Sequence, residues 1–203
     1  LKAAREMLLK QQVMMKEKKL PVIVLFEGWG AAGKGSVLGK VIKNIDPRFF
    51  KVAVMDEPTE EENRKPFLYR HFVKIPEAGK FVFMDSGWMS EVTKQKLGGE
   101  LSDEDYKKRV ESIKRFERQL TDNGYLLLKF FFNIDKKEQK KRLNKLKEDK
   151  NTKWRVSEYD KWQNKHYEEC FDVYDQYLCD TDHSSAPWYI VDAKDKKWAQ
   201  LQV

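Results

Sequence analysis

The chain has 203 residues, 40% of them apolar and 13% aromatic, which is enough to bury a core in one domain and too apolar for a disordered chain. Its apolar runs fall well short of the roughly 20 residues that cross a bilayer, and its first segment is charged and helix-forming, so neither a membrane span nor a signal peptide is expected. Forty basic against 33 acidic residues leave a net charge of +7, which points to anionic partners, while two cysteines and three scattered histidines lack the spacing of a zinc site.

Residues 1–19 read as an amphipathic helix, with Ala4, Leu8, Met14 and Met15 near helical spacing and Pro21 ending it. The run "PVIVLFEG" (21–28) is continuous and β-branched, the signature of a buried strand. A helix is expected over "GKGSVLGKVIKNI" (33–45) and a second strand over "FFKVAVM" (49–55). A polar loop lies between Pro58 and Pro66, and Pro66 suits the first turn of a helix reaching about Ile75. "GKFVFMD" (79–85) is the third strand, and "GGE" (98–100) is a break. "SDED", from Ser102, reads as a capping box opening a long helix, with Tyr106, Val110, Ile113 and Leu120 on one face and Asn123-Gly124 closing it.

"YLLLKFFFNI" (125–134) is the clearest strand. A basic helix follows from Lys136 to Lys150. Ser157 opens another long helix with Trp162, Cys170, Tyr174 and Leu178 facing inward. Cys170 and Cys179 would be about 13 Å apart along that helix, too far to bridge, and read as thiols in a reducing cytoplasm. "PWYIVDA" (187–193) is the fifth strand, with a short helix at the tail. This alternation implies an α/β fold, a parallel five-stranded sheet sandwiched by helices. No repeat or linker divides residues 1–203, and a chain starting at Leu1 rather than Met is expected to be a piece of a longer polypeptide.

"GWGAAGKG" (28–35) carries the strongest chemical signal. Between a buried strand and a helix, its glycines let Gly28, Gly30, Ala31, Ala32, Gly33, Gly35 and Ser36 turn backbone amides toward phosphate oxygens, and Lys34 adds a full positive charge. The residue after Lys34 is Gly35, where such loops ordinarily have the Ser or Thr that binds magnesium; Ser36 is one place out of register. Asp85, at the end of the third strand, is placed to hold Mg²⁺ or its water, or else caps the next segment.

Residues 136–155 contain ten basic and three acidic residues, so the net charge of the whole chain sits in this one segment. It is either a solvated helix face or a lid over a polyanion, and Lys153 and Arg155 are the cations that closure would bring to the site. Trp154, Trp162, Trp188 and Trp198 fit core positions better than base-stacking ones.

"EGWGAAGKG", "EPTEEE", "YRHFVKIPEAGKFVFMDSGW", "KKEQKKRLNKLKEDKNTKWRVSEYDKW" and "SSAPWYIVDA" occur in the order of the polyphosphate kinase type 2 family, which the chain resembles over its whole length. The resemblance implies a thymidylate-kinase-like P-loop fold with a helical lid over about 136–157. It also implies magnesium-dependent transfer of phosphate between inorganic polyphosphate and AMP, ADP or GDP, in dimers or tetramers of dimers. Gly28, Gly33, Lys34 and Gly35 match the family's loop. Asp85 matches the acid of its Asp-Arg-Ser-Trp motif, and Trp88 the aromatic. The chain departs from the family at Gly30 (usually Asp), Ser86 (Arg), Gly87 (Ser), Met89 (Tyr) and Asn133 (His). In the family the loop Asp and the acid at position 85 together hold magnesium. The pattern is similar to the eroded first copy of tandem polyphosphate:AMP phosphotransferases.

The resulting expectation is a phosphotransferase with Lys34, Asp85 and Arg155 as catalytic groups, Lys153 on the phosphates, Asp85 on Mg²⁺, and polyphosphate and AMP or ADP as ligands. It is expected in the cytoplasm, as a homo-oligomer or paired with a second homologous domain, without nucleic acid or membrane as partner. Two alternatives stand: a degenerate domain that binds polyphosphate or scaffolds an active twin, and an ATP-dependent nucleotide or metabolite kinase.

Overall fold

The computed structural model describes every residue of 1–203 except Asp56. Five parallel strands, β1 (Val22–Gly28), β2 (Phe50–Val54), β3 (Phe81–Asp85), β4 (Leu126–Asn133) and β5 (Trp188–Asp192), form one sheet in the order β2-β3-β1-β4-β5. The run with least polarity takes the centre: Val22 to Phe26 are at most 4% exposed, because helices cover both faces of a parallel sheet. The chain fills one side of β1 with β2 and β3, then the other with β4 and β5. The crevice at the strands' carboxyl ends beside β1 is therefore the position where this architecture binds ligands.

The helices are α1 (Lys2–Glu17), α2 (Lys34–Ile42), α3 (Glu60–Asn63), α4 (Tyr69–Phe72), α5 (Trp88–Leu97), α6 (Asp103–Asp122), α7 (Lys136–Glu148), α8 (Glu158–Lys165), α9 (Tyr167–Thr181) and α10 (Lys196–Gln202). Helices α5, α6 and α9 pack together, and α2 packs with α10. In β4 the apolar run is interrupted by Lys129, which is fully buried. Its ammonium donates to Glu117 at 2.7 Å and to Thr181 O at 2.9 Å and lies over the Trp188 ring, so the buried charge is paired, as burial requires.

All five strands and the sandwich architecture expected from the sequence are present. Three helical details differ. No element is expected at 88–97, yet α5 forms there, burying Trp88, Met89, Val92 and Thr93 on one face. The helix expected from Ser157 is two helices: His166 leaves helical geometry (φ −104°, ψ 37°), its Nδ1 3.0 Å from Trp162 O and its ring stacked on Trp162. The helix expected from Pro66 to Ile75 keeps only the short α4. The Ser102 cap is also one-sided: its hydroxyl accepts Asp105 N–H and donates to the Asp105 carboxylate, whereas the reciprocal box forms at Ser157 and Asp160. Cys170 is buried and Cys179 exposed, both unbridged.

Candidate functional site

The loop after β1 is built against β4. A β-carbon at Gly28, whose φ is +117°, would come within 2.7 Å of Phe132 N, so only glycine lets the two strands approach. Trp29 turns inward and is fully buried. Its Nε1 donates to Asn133 Oδ1 at 3.0 Å, and its ring stacks on Tyr167 with centroids 4.0 Å apart. The loop is thus anchored by an indole that has left the ligand side. Gly33, at φ +102°, is the N-cap of α2 and supplies no side-chain cap, which leaves the first-turn amides available to an anion. Lys34 curls over its own loop, its ammonium donating to Gly28 O at 3.0 Å and Trp29 O at 3.3 Å.

Both polar groups of Gly30 are held by buried amides. Its N–H donates to Gln163 Oε1 at 2.9 Å, and its carbonyl accepts from Gln139 Nε2 at 3.3 Å. Gln139 also donates to Gln163 Oε1 at 2.7 Å, and Gln163 donates to the Tyr174 hydroxyl at 2.6 Å. Arg142, also on α7, donates to Ala32 O, Ala193 O and Lys194 O, each at 2.9 Å, and to Ala31 O at 3.4 Å. Ala31 and Ala32 therefore turn their carbonyls to an arginine.

Beside the loop, Asp85 ends β3 in register with Phe26. Its Oδ2 lies 3.5 Å from the point where a β-carbon on Gly35 would stand, so it faces the first turn of α2. Ser86 follows at φ +63°, an uncommon conformation for a residue with a side chain. Glu27, fully buried at the end of β1, fixes this turn. It accepts Gly87 N–H at 2.8 Å, Ser90 N–H at 3.4 Å and the Ser90 hydroxyl. Burial raises the Glu27 carboxyl above its ordinary 4.5, against the opposing pull of Ser90, Lys34 and the backbone donors.

Two cavities meet here. One of about 120 Å³ lies over the loop and includes Gly28, Gly30, Lys34, Asp160 and Gln163 in its wall. The other, of about 530 Å³, includes Asn63, Arg70, Glu91, Gln95 and Trp162. Ser86, Ser90, Lys94 and Tyr159 line both. Arg70 is 6% exposed and sits 3.8 Å from Glu62 and 3.7 Å from Glu91. The Lys94 ammonium lies over the Tyr159 ring at 5.0 Å. The two cavities therefore share a wall that carries one lysine and three hydroxyls.

The structure thus brings together Gly28, Gly30, Gly33, Lys34 and Gly35, with Asp85 beside them. Ser36 is exposed on α2. Lys153 and Arg155 do not join them: they lie on an exposed single turn at 153–155, with the Arg155 guanidinium over the ring of Trp154, a residue 75% exposed. Among the tryptophans, Trp162 lines the larger cavity, Trp188 packs on Lys129 and Trp198 is 51% exposed. Sequence reasoning missed Glu27, Arg70, Lys94, Gln139, Arg142 and Gln163. Only Glu27 carried a signal, an acid inside an apolar strand.

Among the described residues no three His, Cys, Asp or Glu side chains gather into a chelate. The residues present fit an ion that takes a carboxylate from Asp85 and its other oxygens from phosphate and water, the usual manner of holding Mg²⁺.

The family description Polyphosphate kinase 2 (PPK2) matches residues 1–203. A polyphosphate:AMP phosphotransferase of Pseudomonas syringae pv. tomato is 32% identical over 187 residues, covering 92% of the chain and 37% of that protein. ADP-polyphosphate phosphotransferase 3 of Rhizobium meliloti is 30% identical over 190 residues, covering 94% and 67%. The crystal structure of polyphosphate kinase 2 from Arthrobacter aurescens TC1 superposes with a TM-score of 0.92 at 27% identity, covering 98% of this chain and 73% of that one. That of a putative polyphosphate kinase 2 from Pseudomonas aeruginosa also gives 0.92, at 28% identity, covering 98% and 44%. The chain spans well under half of the first of these relatives and two thirds of the second.

Proposed function

The chain belongs to the polyphosphate kinase 2 family, and on that premise we propose that it transfers a phosphoryl group between inorganic polyphosphate and a nucleoside phosphate, AMP or ADP. The observation that carries this reading is the pair of cavities sharing Ser86, Ser90, Lys94 and Tyr159: donor and acceptor would meet across that wall. The small cavity suits the terminal phosphates of the chain, held by the amides at the head of α2. Lys34 exchanges its two carbonyl partners for phosphate oxygens. The larger cavity suits the nucleotide, with Arg70 and Lys94 facing its phosphate.

Transfer is in line. An oxygen of the nucleotide's phosphate attacks the terminal phosphorus, the bridging P–O bond breaks, and the shortened chain leaves with the electron pair. The protein's part is orientation and charge stabilisation. Mg²⁺, held in part by Asp85, supplies neutralisation of the phosphate charges. Lys153 and Arg155 act further out, tracking the polyanion from their exposed turn. We read residues 1–203 as one domain working in the cytoplasm, as an oligomer or beside a second homologous domain; among the described residues no helix is long and apolar enough to cross a membrane.

A second reading, a domain that holds polyphosphate or scaffolds an active twin without turnover, is favoured by Gly30 and Gly35, which have no side chain to bind metal or phosphate, and by Ser86, whose hydroxyl carries no charge. The test is an assay of the chain with polyphosphate, AMP or ADP, and Mg²⁺, run beside ATP as donor. Product from polyphosphate supports transfer; polyphosphate binding without product supports the scaffold; product from ATP alone overturns both.

A further inference from the structure

Gly30 has no side chain, but the space beside it is filled. A β-carbon there would overlap Asp160 Oδ1, lie 3.0 Å from Asp160 Cγ and 3.1 Å from Gln163 Oε1. Asp160 belongs to the first turn of α8, far from the loop in sequence. Its two oxygens have separate surroundings. Oδ2 accepts the Ser157 N–H at 2.8 Å and the Ser157 hydroxyl at 2.7 Å, closing the cap of α8. Oδ1 points at the loop, and Asp160 lines the same cavity as Lys34 and Gly28. One turn further on, Gln163 is 2% exposed and tied to Gly30, Gln139 and Tyr174. The carboxylate is therefore held over the loop by two anchors rather than hanging from a free surface.

We infer that Asp160 is a second carboxylate ligand of the divalent cation at this site, delivered to the phosphate loop by α8 because the loop itself carries only Gly30 there. The inference rests on the reading that the cavity takes phosphate with Mg²⁺. A phosphate oxygen entering beside Oδ1 would meet like charge, and a hard cation shared between carboxylate and phosphate removes that repulsion. It also accounts for glycine at position 30, since any larger residue would displace the carboxylate.

The test uses the full chain with Mn²⁺ in place of Mg²⁺ and tripolyphosphate in place of the longer chain. Water-proton relaxation enhancement reports Mn²⁺ immobilised on the protein, independently of turnover. Asp160→Asn keeps an oxygen to accept the Ser157 N–H and is expected to weaken Mn²⁺ binding about tenfold or more, as loss of one of two carboxylates should. Gly30→Ala retains the carboxylate but pushes it aside, and is expected to weaken binding in the same direction. Gly30→Asp in an Asp160→Ala background is expected to tighten binding relative to Asp160→Ala alone. Parent-like Mn²⁺ binding in either Asp160→Asn or Gly30→Ala, or no gain from the relocated carboxylate, overturns the inference and leaves the functional reading standing. No Mn²⁺ immobilised by the parent with tripolyphosphate overturns both.

Discussion

Gln163 accepts the N–H of Gly30 at 2.9 Å, across 133 positions of sequence. Through this bond α8 grips Gly30, the residue before Ala31, which is held at φ +59°. Such a conformation in a non-glycine residue costs about 1–3 kcal/mol and persists where its surroundings over-determine it. Gln139 on the carbonyl side and Arg142 on the next two carbonyls complete that constraint. The phosphate loop is shaped as much by α7 and α8 as by its own glycines.

Gln163→Leu removes the acceptor of Gly30 N–H, takes one of the two acceptors of the Gln139 amide and deprives the Tyr174 hydroxyl of its Gln163 donor, all in a buried setting. Each unsatisfied group costs about 1–3 kcal/mol, so a loss of about 3 kcal/mol in unfolding free energy is expected in urea titrations. Gln163→Glu retains the acceptors and should lose less. Equal stability of the leucine variant and the parent would show that the network contributes nothing.

Ser86 already holds φ +63° with a side chain, so Ser86→Arg introduces no new backbone strain. A guanidinium there faces both cavities and should raise turnover with polyphosphate about tenfold or more, by stabilising charge in the transition state. Gly35→Ser is the compatible partner change. Its β-carbon would meet Asp85 Oδ2 at an ordinary 3.5 Å, and its hydroxyl would stand beside that carboxylate. Gly30→Asp alone is expected to lower turnover, because Asp160 fills its space. Steady-state rates of the three variants check the set, and no gain from the first two would locate the limitation elsewhere.

Glu27 has a carboxyl raised above 4.5 chiefly by burial. The folded state therefore binds this proton more tightly than the unfolded chain. The associated stability is fully present below the unfolded value and is lost as pH rises through the raised folded value. Glu27→Gln removes that titration. Relative to the parent, the variant should gain stability as pH increases from about 4.5 upward, read from denaturation midpoints across the range. A difference independent of pH would mean that Glu27 is not shifted.

Burial pushes the Cys170 thiol up to about 12, while Cys179 is exposed. A thiol-specific reagent at neutral pH should modify one cysteine in the native protein and two after denaturation, because the thiolate is the reactive form. Peptide mapping that finds Cys170 labelled first would contradict the packing of α9.

Much of this fold was legible locally. The buried run from Val22 to Phe26, the spacing from Gly28 to Lys34 and the strand at 126–133 each declare themselves within a few residues, since hydrophobic period and turn chemistry are short-range properties. Helix α5 was less legible because Trp88, Met89, Val92 and Thr93 are helical chiefly through what they bury against. The break at His166 depends on a side chain returning to its own helix.

The amino-acid sequence by itself determined the five strands and their order along the chain, the place of the phosphate loop between β1 and α2, and the acid at the end of β3, because these follow from local backbone preferences and hydrophobic period. Only the tertiary structure decided which distant groups complete the site: Glu27 beneath the β3 turn, Gln139 and Gln163 on Gly30, Arg142 behind the loop, and Asp160 over it. It also decided that Lys153 and Arg155 stand apart. These pairings join side chains more than a hundred positions apart, or across separate strands, and a hydrogen bond is specified by proximity in space, which no local pattern encodes.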